Sequence, residues 1–118
     1  MPLISLEITP DLIENDEIPE ILSRLVDTVS QQESVDSKAV RAGHSMVRLW
    51  AMGSGAPRGF AHCQVAILAG RPIELQQRIA NAVMETMKEC FHRSLQASAV
   101  NVSLELREMQ PATYLKTS

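Results

Sequence analysis

The sequence predicts a two-layer α+β domain in the order β-α-β-β-α-β, with two helices on one face of a four-stranded sheet. Three observations carry the prediction. Two long stretches repeat apolar residues at three and four, each with a proline near its start. Short stretches that alternate, or run apolar throughout, lie on either side of both. Turn chemistry separates the segments. At 118 residues the chain is read as one domain, residues 1–118.

The elements follow in order. Pro2 to Ile8 reads as a strand, because Leu6 and Ile8 alternate with Ser5 and Glu7. Thr9-Pro10-Asp11 stops it. A helix reads from about Asp16 to Gln32, with Pro19 in its first turn, where a missing N–H costs nothing. Ile18, Ile21, Leu22, Leu25, Val26 and Val29 form its core stripe. The helical period is absent from Ser37 to Trp50, where β-compatible residues return. Gly53 to Pro57 is loop chemistry between two strand-like arms, which predicts a hairpin with a long connection.

The second arm, Phe60 to Ala69, is almost continuously apolar and ends at Gly70-Arg71-Pro72. A long helix follows from about Pro72 to Leu95, burying Leu75, Ile79, Ala80, Val83, Met87, Cys90 or Phe91, and Leu95. Val100, Val102, Leu104 and Leu106 alternate with polar residues in a last strand, and Pro111 ends regular structure. Each half is thus a strand, a turn with proline, a helix and a returning strand. Two helices cover one face only. Because Phe60–Ala69 offers apolar residues to both faces, the uncovered face is expected to meet a partner, and the chain to be an oligomer.

Composition excludes several classes of function. Eleven basic residues against fourteen acidic ones leave a net charge of −3, the wrong sign for wrapping phosphates. Aromatic residues are 3% of the chain, too few for a base-stacking platform, so no nucleic-acid partner is expected. No apolar run approaches the length of a membrane span, and no signal peptide is evident, so neither a membrane nor export is expected. The two cysteines lack a CxxC spacing. A cytoplasmic domain is the expectation that remains.

Candidate chemistry is sparse. His44, His62 and His92 fall on different elements without ligand spacing, so no metal site is expected. Cys63 is read as inert packing. Gly53-Ser54-Gly55 precedes a strand rather than a helix and is not a phosphate loop. Gly70-Arg71 is a better anion candidate, at a strand end where a helix begins, although a plain turn arginine is the simpler reading. Pro2 follows Met1 directly. Removal of Met1 would leave a secondary amine on a rigid ring. Desolvation and nearby cations would lower its proton affinity, making it a usable base and then acid.

The start Pro2-Leu3-Ile4, with Glu7 closing the strand, resembles the tautomerase superfamily. Within it the whole chain is most similar to the 5-carboxymethyl-2-hydroxymuconate Δ-isomerase family. Val40-Arg41 resembles that family's Ile-Arg pair. Trp50-Ala51-Met52 with Gly55 resembles its Trp-x-Met, and Phe60-Ala61-His62 its Phe-x-His. Ala69-Gly70-Arg71 resembles its Gly-rich Arg turn. Glu108-Met109-Gln110-Pro111, with Lys116, resembles its ending.

The resemblance implies a tautomerase-like fold, a homotrimer, no cofactor, and an amino-terminal proline base working with arginines that hold carboxylates. Pro2, Arg41 and Arg71 match those roles. It implies an isomerase moving a proton and double bond in an unsaturated 2-hydroxy or 2-oxo dicarboxylic acid, as in aromatic-compound catabolism. Trp50 and Phe60 are candidates for apolar walls about the amine, although core packing is the simpler role. The chain departs from the family at Gly43, where a second arginine is expected, and in a shorter tail ending at Ser118. The first departure bears on the substrate. The second is expected to alter contacts between subunits or open the pocket. Two alternatives share the fold: a hydratase or dehalogenase of similar acids, and a catalytically silent trimer that binds a small carboxylate or serves as a scaffold. Retention of Met1, which makes the Pro2 nitrogen an amide, favours the silent trimer.

Overall fold

The architecture is set by where apolar side chains can be buried together. The computed structural model describes residues 2–117. The elements are β1 (Leu3–Ile8), α1 (Ile18–Ser30), β2 (Arg41–Met46), β3 (Gly59–Leu68), α2 (Ile73–Cys90), α3 (His92–Gln96) and β4 (Val100–Met109). Short 3-10 turns cover Ile13–Glu17, Ser37–Ala39 and Pro111–Thr113. Both long helices and all four strands expected from the sequence are present. Among the described residues, no helix is long and apolar enough to cross a membrane.

The sheet order is β2-β1-β3-β4. β1 pairs in parallel with β2, β3 in parallel with β4, and the two central strands are antiparallel. Each half is therefore a parallel βαβ unit, as the repeated strand-helix-strand pattern implied. The expected hairpin is not formed, because β1 lies between β2 and β3. Burial explains the choice. β1 and β3 each send an unbroken apolar row to one face. β2 reads Arg-Ala-Gly-His-Ser-Met and has little to bury, so it belongs at an edge. Regular pairing of β2 also starts later and stops sooner than the Ser37–Trp50 reading.

The core lies between the sheet and the helices. Ile4, Leu6 and Ile8 of β1 and Ala61, Cys63, Val65 and Ile67 of β3 are at most 1% exposed. They pack with Ile21, Leu25 and Val29 of α1 and Leu75, Ile79, Val83 and Met87 of α2. Burying each large aliphatic chain stabilises by roughly 1.5–3 kcal/mol. The second helix breaks at Phe91, which is fully buried at the junction of α2 and α3. The break leaves Leu95 at the surface, outside the stripe expected of one straight helix.

The face away from the helices is less apolar than the composition of β3 suggested. Alternation turns Phe60, His62, Gln64, Ala66 and Leu68 toward it. Leu3, Ser5, Glu7, Ser103, Glu105 and Arg107 share that face, and cross-strand bonds satisfy part of it. His62 Nδ1 lies 2.7 Å from Ser103 Oγ, and Gln64 Nε2 donates to Glu105 at 3.3 Å. The continuous apolar run of β3 thus does not make a continuous apolar patch, because His62 and Gln64 fall on the open side.

Candidate active site at one end of the sheet

Strand direction gathers three of the sequence-selected residues. β1 and β2 begin at one end of the sheet, and β3 and β4 finish there. Pro2 precedes β1 and is buried. Its carbonyl accepts a hydrogen bond from the Arg41 N–H at 3.2 Å, which fixes the start of β2 beside it. Because β3 is antiparallel to β1, its end brings the Gly70-Arg71 turn to the same place. Gly70 has φ +126°, a conformation that favours glycine, and it redirects the chain into Arg71 and α2.

Arg71 is more than a turn residue. Its Nε donates to Ser34 Oγ at 2.9 Å, Nη2 to the Ser34 carbonyl at 3.1 Å and Nη1 to the Leu68 carbonyl at 3.2 Å. Of the five N–H groups of a guanidinium, these leave one on each terminal nitrogen. The same bonds hold Ser34, a non-glycine residue at φ +69°. Arg71 thus ties the α1–β2 connection to the end of β3 while keeping two donors in a fixed direction. Glu108, the nearby carboxylate on β4, is taken by the Gly70 N–H at 3.4 Å and by Gln76 Nε2 at 3.2 Å.

Arg41 projects from the open face, opposite to Ala42, which packs against the core. It is exposed and has no side-chain partner among the described residues. Gly43, two positions on, faces the same way, and a Cβ built there would meet nothing within 4 Å. Leu3, Ser5, Gly43, His44 and Ser45 border a depression of about 260 Å³. Position 43, where the resemblance implied a second arginine, therefore holds open space rather than a repacked contact.

Sequence reasoning passed over one further cation at this end. The register aligns Arg41, Leu3, Ala66 and Arg107 in one row across all four strands. Arg107 was read only as a polar member of an alternating strand. Its place opposite Arg41 depends on the pairing of non-adjacent strands.

Other candidates fall away from this end. Trp50 and Phe60 belong to the opposite end, near the finish of β1, at a distance of roughly 20 Å along the strand. They cannot wall Pro2 within one chain. Nor is either a core residue: Phe60 is half-buried, and Trp50 is exposed, with its Nε1 donating to the Arg58 carbonyl at 2.8 Å. His62 is bound to Ser103, and among the described residues no three His, Cys, Asp or Glu side chains cluster for a metal. Burial pushes the Cys63 thiol up to about 12 and also raises Cys90, so neither is a ready nucleophile.

Comparison with known proteins agrees with this frame. The family model for 5-carboxymethyl-2-hydroxymuconate isomerase matches residues 2–118. The structure is similar to a 5-carboxymethyl-2-hydroxymuconate isomerase from Deinococcus radiodurans R1, with TM-score 0.89 and 23% identity over 99% of this chain and 89% of the other. It is similar to a 5-carboxymethyl-2-hydroxymuconate delta-isomerase at TM-score 0.81 and 14% identity, covering 100% and 87%. A fused 4-OT described as a symmetric trimer aligns at TM-score 0.72 and 22% identity, covering 98% and 91%. Comparison with curated proteins gives no match. With the fold shared and the family model spanning all the described residues, the chain belongs to the 5-carboxymethyl-2-hydroxymuconate isomerase family.

Proposed function

We propose that the protein is a cofactor-independent isomerase that moves a proton and a double bond in an unsaturated 2-hydroxy dicarboxylic acid. After removal of Met1, the Pro2 nitrogen takes the proton of the 2-hydroxyl. The electrons shift through the diene, a C2 carbonyl forms, and the distant diene carbon gains electron density. Pro2 then returns the proton to that carbon. The net result is a conjugated 2-oxo acid, with no atom gained or lost.

The observation that carries the reading is the gathering of Pro2, Arg41 and Arg71 at one end of the sheet. A single base must reach both proton sites, so the substrate must be held still. Arg71, already fixed by Ser34 and Leu68, offers two parallel N–H groups to a carboxylate or to the dienolate oxygen. Arg41 is free to take the other carboxylate. Action as a base at neutral pH requires the freed amine to be desolvated there. The two exposed edges, β2 and β4, suit a homo-oligomer, and the trimeric relative supports a homotrimer.

The test is an N-terminal extension. One residue retained ahead of Pro2, verified by intact mass, turns its nitrogen into an amide. Turnover of a 2-hydroxydienoate is expected to fall by at least a hundredfold, while light scattering shows the assembly unchanged. Pro2→Ala, which still offers a terminal amine, is expected to keep partial activity. Full activity in the extended protein would exclude Pro2 as the base.

A further inference from the structure

We infer that Arg107 is a substrate-binding residue that selects for a second carboxylate. The inference rests on the isomerase reading above for the reaction, but on the sheet register for the site.

The row Arg41–Leu3–Ala66–Arg107 crosses the open face at the end of the sheet where Pro2 lies. Its two ends are cationic and its middle is apolar. The outer Cα atoms lie three strand spacings apart, roughly 14 Å. Two long side chains folding inward over that span leave a gap suited to two anionic groups separated by a short carbon chain. One carboxylate alone would engage one end. Pro2 lies one residue before Leu3 at the same end of the sheet, one strand from Arg41 and two strands from Arg107.

The charges around Arg107 are arranged to leave it free. Glu105, two residues earlier on the same face, is turned to Gln64. Glu108 points to the other side and is held by Gly70 and Gln76. Glu7 lies two rows away, opposite His62. Among the described residues, the Arg107 side chain has no hydrogen-bond or ion-pair partner, and neither has the Arg41 side chain. Arg71, by contrast, has three of its five N–H groups committed within the chain. Two unpartnered guanidinium groups at the ends of one apolar row make a site for an unsaturated dicarboxylate. Arg107 supplies there a positive charge that Gly43 does not.

The experiment compares a six-carbon 2-hydroxydienedioate with its five-carbon monocarboxylate analogue. In Arg107→Ala, the ratio of kcat/KM for the dicarboxylate to that for the monocarboxylate is expected to fall about 10–100-fold, chiefly through KM. Arg107→Glu is expected to lower the ratio further, and Arg107→Lys to restore part of it. Light scattering confirms that the assembly is kept. An unchanged ratio in Arg107→Ala and Arg107→Glu, with an active parent, would overturn the inference and leave the isomerase reading standing. Should the parent turn over neither acid, the isomerase reading fails, and calorimetric binding of hexanedioate decides the site. Weaker binding in both Arg41→Ala and Arg107→Ala supports it, and absence of binding to the parent overturns it.

Discussion

Replacement of Arg71 by alanine separates its part in the fold from its part in chemistry. The substitution removes three hydrogen bonds, two to Ser34 and one to the Leu68 carbonyl. It also releases Ser34 from a left-handed backbone conformation that L-residues adopt at a cost of roughly 1–2 kcal/mol. Each bond contributes about 0.5–1.5 kcal/mol. The groups are partly open to water, and the relaxation of Ser34 returns some of the loss. The net destabilisation is expected near 2 kcal/mol. In urea, with a slope of about 2 kcal/mol per molar, the midpoint falls by about 1 M. The comparison needs one fixed protein concentration, because assembly contributes to apparent stability.

Arg71→Lys tests the geometry. An ammonium can reach one of the three acceptors but cannot reproduce the fork on Ser34, so most of the loss is expected to persist. Activity is read on the same samples, below the unfolding transition. A fall in kcat/KM of about tenfold or more is expected in folded Arg71→Ala, because the two remaining N–H groups are lost as well. An unchanged urea midpoint in Arg71→Ala would refute the tie between the α1–β2 connection and β3. Unchanged kcat/KM would refute its role as a clamp.

Two further outcomes follow from the packing. Gly59→Ala places a methyl group within 2.5 Å of Asp11 Oδ1 and against Thr9 Oγ1, which accepts the Phe60 N–H at 3.0 Å. A loss of about 1–3 kcal/mol is expected in thermal or urea unfolding, and parental stability would show that the Thr9–Asp11 turn yields freely. Cys63 is protonated in the folded state up to about pH 12, whereas in the unfolded chain a thiol ionises near 9. Above about pH 9 the unfolded state therefore binds fewer protons than the folded one. Stability is expected to fall as pH rises from there toward 12, and Cys63→Ala to show a shallower fall; identical slopes would remove the thiol as its cause.

Much of the fold was legible because burial leaves a periodic trace. The stripes Ile18–Val29 and Leu75–Met87 and the alternation from Val100 to Leu106 are local patterns that name an element and its inward face. Pro2, Arg41 and Arg71 were picked out by short motifs that resemble those of one family. What a linear pattern does not carry is which strands become neighbours. A loop at Gly53–Pro57 between two strand-like arms looks the same whether the arms pair or are parted by β1. The decision came from the total apolar surface buried when both central strands lie under helices, a property of the assembled layers. The same step decided the site. Register alone put Arg107 level with Arg41, and antiparallel pairing of β1 with β3 alone brought Arg71 to the end where Pro2 begins. Trp50 and Phe60 went to the far end for that reason, since a strand that runs back carries its first residues away from the start of its neighbour.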